Sequence, residues 1–143
     1  MRIEESPFFQ ECLKVYELES GKYFFFEDFI VSEVKEGITF SWETAQEGIK
    51  LKQEFFGDKK ISYITNRVNS YSIVPQDWLK FFDLRNQMLG LAIVTYSDLG
   101  LMNVALEKLF FHGKLKRFEN LQEAVTWVKQ LSVVEKEKNI TES

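Results

Sequence analysis

The chain has 143 residues, 45% of them hydrophobic and 14 of them Phe, enough apolar bulk to fill one core without disulfides or metals. Its formal charge of -4 excludes phosphate-backbone binding as the main task, because that affinity comes from clustered Lys and Arg, and the one short basic cluster is Lys114, Lys116 and Arg117. A single cysteine, Cys12, excludes an internal disulfide and agrees with a reducing compartment.

The first segment, "MRIEESPFFQEC", carries acids and Pro7 where a signal peptide needs an apolar stretch. No apolar run approaches the roughly 20 residues of a membrane span. We therefore expect a cytoplasmic protein without a membrane span. Residues 1–11 read as a loosely held arm. Three strands follow: "CLKVYEL", "KYFFFED" and "FIVSEVKEG", rich in the aromatic and β-branched residues that strands prefer. Their alternation is imperfect and does not identify the core face.

A helix is predicted over Ser41 to Phe56, with Trp42, Ala45, Ile49 and Phe56 recurring at helical steps and Gly57 as its stop. Thr39 or Ser41 is its cap. "KISYITN" reads as a buried strand. Pro75 sits at a first helical turn, where its missing N–H costs nothing, and Trp78, Phe81, Phe82 and Arg85 share one side of a helix to about Met88. "GLAIVTY" is apolar without alternation, as expected of a strand covered on both faces. A helix over 99–111 has Met102, Ala105, Leu106 and Leu109 as its expected inner stripe. Then come a short strand, "KLKRF", and a last helix capped by Asn120, with Leu121, Ala124, Val125, Val128 and Leu131 facing the core. Residues 132–143 are charged and expected to fray.

This order predicts an α/β fold: a mixed, mainly parallel sheet preceded by an antiparallel meander, with four helices, in one domain over 12–131. Right-handed crossovers would place the connections after "KISYITN" and "GLAIVTY" at the same rim of the sheet. Ligands of such sheets sit at that rim, near helix N-termini. The candidate binding residues are therefore Asn66, Arg67, Asn69, Ser70, Ser72, Ser97 and Asp98. Arg67 could hold a carboxylate or phosphate in its planar fork. Ser70 or Ser72 could be phosphorylated, adding about two negative charges beside a helix start. The alternative is structural: Asn and Ser satisfying turn and cap N–H groups, and Arg67 capping a carbonyl.

His112 is the only histidine, and no second His or Cys stands at ligand spacing, so we expect no metal or cofactor. Its expected role is interaction with a helix C-terminus. Cys12 is expected to be a strand thiol rather than a reactive one. Glu43 and Glu47 are four apart, but Lys50 beside them fits a solvated charged face. The glycines are scattered and form no phosphate loop. Apolar residues nearly encircle the 99–111 helix, which fits enclosure or coverage by a partner.

"LGLAIVTYSDLGLMNVALEKLF" and "LKRFENLQEAVTWVKQL" resemble the STAS-like superfamily of the anti-sigma-factor-antagonist, or SpoIIAA-like, fold. The resemblance is greatest to a branch found often in Bacteroidetes and spans roughly residues 13–131. It rests on the hairpin "FIVSEVKEG" leading to a helix, the strand ending in "TYSD", and the final pattern from Phe118 to Val128. The resemblance implies a non-enzymatic regulatory module working through protein contacts or a small ligand. In members of the superfamily a Ser at a strand-to-helix turn within an Asp-Ser-Ser-Gly-type motif is phosphorylated. "NSYSIVP" stands at the comparable turn here, with Ser72 the candidate phosphosite and the Asp and Gly absent.

Two functions are thus expected. One is an interaction module using residues 66–76 and 96–102, with the 99–111 helix contributing to a homodimer or to an interface with an unidentified protein. The other is a carrier or sensor for a small hydrophobic or anionic ligand, anchored by Arg67 and lined by Phe residues.

Overall fold

A computed structural model describes residues 1–142, the side chains of Arg85 and Glu142 excepted. Among the described residues there are eight strands: β1 Lys14–Leu18, β2 Gly21–Phe25, β3 Phe29–Val34, β4 Thr39–Phe40, β5 Ile61–Asn66, β6 Ser72–Ile73, β7 Met88–Val94 and β8 Leu115–Phe118. Six of them form one sheet in the order β1-β2-β3-β5-β7-β8, while β4 and β6 make a separate parallel pair. The β1–β2 and β2–β3 pairings are antiparallel, and every later pairing in the large sheet is parallel. The helices α1 (Trp42–Phe56), α2 (Asp98–Glu107) and α3 (Leu121–Glu142) and a 3-10 helical segment, Pro75–Gln87, account for the four expected helices.

The sheet grows in one direction from β3 to β8. Crossovers of one hand must then all land on one face. Accordingly α1, the 3-10 segment and α2 lie together, and α3 covers the opposite face. Both faces being covered explains the imperfect alternation of the early strands. In "YFFF", Phe24 and Phe26 join the core under α3, whereas Tyr23 and Phe25 join the core under α1. In β7, Ala92 and Val94 face α3, and Leu91 and Ile93 face α2. Gly90 lets α3 approach closely, since a Cβ there would lie 2.6 Å from Leu131 Cδ1.

The structure corrects several expectations. The 75–87 segment is 3-10 rather than α; its Asp77 accepts a hydrogen bond from the Trp42 N–H at 2.8 Å and so closes the start of α1 rather than its own. The expected place of Arg85 beside Trp78 lies outside the described side chains. The N-terminal arm is not loose. Ile3 is fully buried in the α3-side core, and short 3-10 turns at Ile3–Glu5 and Pro7–Glu11 hold the arm against it. Over its described residues the tail is helical, since α3 runs on to Glu142. Ser132 is buried, Lys136 pairs with Asp28 at 3.3 Å, and Lys60 pairs with Glu135 at 3.5 Å. Two cations hold the Asp28 carboxyl below its ordinary pKa against the opposing effect of burial.

The largest correction concerns α2. Val104 and Glu107 are buried, while Met102, Leu106 and Leu109 of the expected inner stripe are 67%, 51% and 72% exposed, and Ala105 also faces outward. The helix is turned by about half a revolution from the expected phase. Its C-terminus also falls at Glu107, so the exposed His112 lies beyond the helix end and meets the Phe82 ring edge-on at 5.4 Å between centroids.

Candidate functional site

Asn66 in β5 sits opposite Val94 in β7, and the Arg67 N–H donates to the Val94 carbonyl at 3.0 Å. The two parallel strands therefore end together, and the loops after them emerge side by side. The rim divides into an inner, paired layer and an outer, exposed one.

The inner layer contains two buried polar clusters. In the first, the Glu33 carboxylate accepts from the Ile3 N–H at 2.7 Å and from Asn66 Nδ2 at 2.8 Å. Asn66 Nδ2 also donates to the Met1 carbonyl, and Asn66 Oδ1 accepts from the Tyr96 hydroxyl at 2.6 Å. The N-terminal residues thus occupy part of the rim. Burial, with Glu33 as a second cause, pushes the Tyr96 phenol up to about 12.

The second cluster is an ion pair. Arg67 Nη1 and Nη2 each donate to one Glu107 carboxylate oxygen at 2.7 Å, and Trp78 Nε1 donates to Oε1 at 2.8 Å. The Arg67 and Glu107 side chains are 8% and 0% exposed. Burial disfavours the guanidinium charge, and the Glu107 hydrogen bonds outweigh it, so the Arg67 pKa is raised. The planar fork that the sequence offered to an anionic ligand is closed on a carboxylate from α2.

The outer layer holds the remaining candidates. Asn69 Nδ2 donates to the Val34 carbonyl at 2.9 Å, and its Oδ1 accepts from Arg2 Nη2 at 3.0 Å. The Ser70 N–H donates to Glu36 Oε2 at 2.8 Å. Ser72 is exposed on β6, with its backbone N–H bound to the Ile38 carbonyl. Ser97 caps α2 by accepting from the Gly100 N–H at 3.1 Å, and Asp98 is exposed in the first turn. Asn66 and Arg67 are thus held in separate clusters, and Ser97 and Asp98 stand at the start of the exposed helix face. Cys12 is half-buried just before β1, its thiol pushed up by burial.

Sequence reasoning missed Glu33, Trp78 and Glu107 as members of the rim; Tyr96 fell within the expected 96–102 edge without being singled out. Glu107 carried one legible signal, a lone acid within an apolar run. With apolar residues on nearly every face, however, periodicity could not orient the helix. Among the described residues, no group of three or more His, Cys, Asp or Glu side chains is placed to hold a metal ion.

No family model matches the chain, and no curated protein matches it. Among solved structures it is similar to the crystal structure of an uncharacterized protein from the DUF3478 family, with a SpoIIAA-like fold, from Shewanella loihica PV-4. The TM-score is 0.52 at 14% identity, over 80% of this chain and 90% of that one. The fold is therefore SpoIIAA-like, an α/β arrangement of antiparallel pairs followed by parallel strands. Among the described residues, no helix is long and apolar enough to cross a membrane.

Proposed function

We propose that this protein is a non-enzymatic regulatory module that works through protein contacts, and that the occupant of its main contact face is a second copy of itself. One observation carries the reading: the outward face of α2 and its C-terminal extension. Leu99, Met102, Leu106 and Leu109, at helical spacing, are 68%, 67%, 51% and 72% exposed. A contiguous apolar stripe of this kind marks an interaction surface. Tyr96 and Leu101, 45% and 46% exposed, extend it toward the rim. The main polar groups of the inner rim pair with one another, which favours a contact surface over a reaction centre.

The pattern is self-complementary. If two copies of the stripe pack antiparallel about a two-fold axis near Val104, Leu99 faces the partner stripe near Leu109, and Met102 faces Leu106. Asp98 at one end then approaches the flanking Lys108 at the other end of the second copy. The small Ala105 near the centre permits close approach. Ser97 and Asp98 open this face, and they serve, with Ser70 and Ser72 on the segment after β5, as contacts for a further protein.

Light scattering on the eluting protein should give twice the monomer mass. Leu106→Glu should give the monomer mass while keeping the wild-type circular dichroism spectrum. A wild-type chain that stays monomeric at high micromolar concentration would overturn the reading.

A further inference from the structure

Between the sheet and the α1 side lies a cavity of about 180 Å³. An apolar cavity of about 150 Å³ accepts benzene, so this one has room for a substituted single ring or a short chain. Its walls are largely apolar, with Tyr23, Phe25, Tyr63, Tyr71, Trp78 and Phe81 among aliphatic side chains. The helix above is hollowed to make the space: Ala45 and Gly48, one turn apart on α1, both line it.

The polar chemistry of the wall has one sign. Lys52 and Arg67 line the cavity, and no Asp or Glu does so among the described residues. Glu107 neutralises Arg67 from outside the cavity, and Arg67 Nε, on a side chain 8% exposed, makes no well-aligned hydrogen bond, its remaining polar neighbour being the Tyr71 side chain. Lys52 is only 3% exposed. Its ammonium donates to the Gly57 carbonyl at 2.8 Å and to Gln87 Oε1 at 3.2 Å, both neutral acceptors. Burial pushes its pKa down, with Asp58 opposing from a distance. A lysine charge held inside without a bonded carboxylate is costly, and an incoming anion would offset that cost.

We propose that this cavity binds a small monocarboxylate with a single aromatic ring or short aliphatic chain. The apolar body packs among the apolar and aromatic walls, and the carboxylate accepts from Lys52 Nζ, which stands at the Gly57 and Gln87 end of the cavity, away from Arg67 at the far end of β5. This site is separate from the α2 face, and its occupancy does not depend on pairing of two copies.

Calorimetric titration of the full chain with benzoate, benzamide and toluene tests it. Benzoate should bind about tenfold or more tighter than benzamide, the increment of a charge-assisted hydrogen bond. Lys52→Met should abolish that preference without weakening benzamide, and Ala45→Leu, which fills the space, should remove binding of all three probes. Failure of benzoate to bind at millimolar concentration overturns the proposal, as does unchanged benzoate affinity in either variant. If Ala45→Leu does not fold, nuclear Overhauser contacts between benzoate and the rings of Trp78 or Phe81 in the unmodified protein decide the location, and their absence overturns it.

Discussion

Glu107 accepts three hydrogen bonds, two from Arg67 and one from Trp78, and is the only acid fully buried in α2. Removing one partner of such a pair leaves an uncompensated buried charge, at about 3–5 kcal/mol, whereas removing both is far milder. Urea unfolding should therefore show Glu107→Gln destabilised by about that much, and Arg67→Met/Glu107→Met by clearly less than the sum of the single changes. A cost below about 0.5 kcal/mol for Glu107→Gln would show that the pair does not hold α2 to the rim. Tyr96 gives a pH-dependent prediction. Its pKa rises from 10.0 to about 12 on folding, through burial and then Glu33. The unfolded state thus loses this proton first. The contribution of Tyr96 to stability is fully present below about pH 10 and is lost as pH rises through about 12. Ultraviolet titration should show Tyr96 ionising late together with the buried Tyr23 and Tyr63, and Glu33→Gln should bring one of the late tyrosines earlier. An unaltered titration in that variant would remove Glu33 as a cause.

Among the elements, the arm and α2 behave opposite to their appearance in the sequence. The arm is short, acidic and interrupted by Pro7, yet Ile3 is fully buried beside Phe24 and Val31 in one cluster, with its N–H bound to Glu33. Ile3→Ala should cost about 2–5 kcal/mol in chemical denaturation, as for other fully buried aliphatic truncations. A change within about 0.5 kcal/mol would restore the arm to a loose appendage. Conversely, α2 has the apolar content of a core helix and leaves most of it exposed. The reason is electrostatic as well as geometric. Arg67 leaves β5 buried under α2, and only a carboxylate facing it satisfies that charge. Glu107 therefore sets the phase of the helix, and the aliphatic stripe goes to the other side.

At the scale of the molecule, α3 and the arm cover one face of the sheet, while α1, the 3-10 segment and α2 cover the other, and the cavity lies under α1 and the 3-10 segment. Pairing through α2 would couple folding to association, because a second copy binds the folded chain and not the unfolded one. The thermal midpoint of the wild type should rise as protein concentration is raised, while that of Leu106→Glu should not. Parallel behaviour of the two proteins across a hundredfold concentration range would exclude a dimer linked to stability.

The sequence by itself determined the main strands and helices and the parallel half of the sheet, though not the short pair β4 and β6. Unalternated apolar strands, glycine stops and capping residues act within a few residues of one another, and the strand-helix alternation with one-handed crossovers brings the ends of β5 and β7 to one rim. Fold resemblance was legible for the same reason. Tertiary structure alone decided how α2 turns, that Arg67 closes on Glu107, that Ile3 enters the core, and that Lys52 faces a largely apolar cavity. Those outcomes depend on charges and side chains brought together from distant positions, 40 residues apart for Arg67 and Glu107 and farther still for Ile3 and Val125, where local periodicity carries no information.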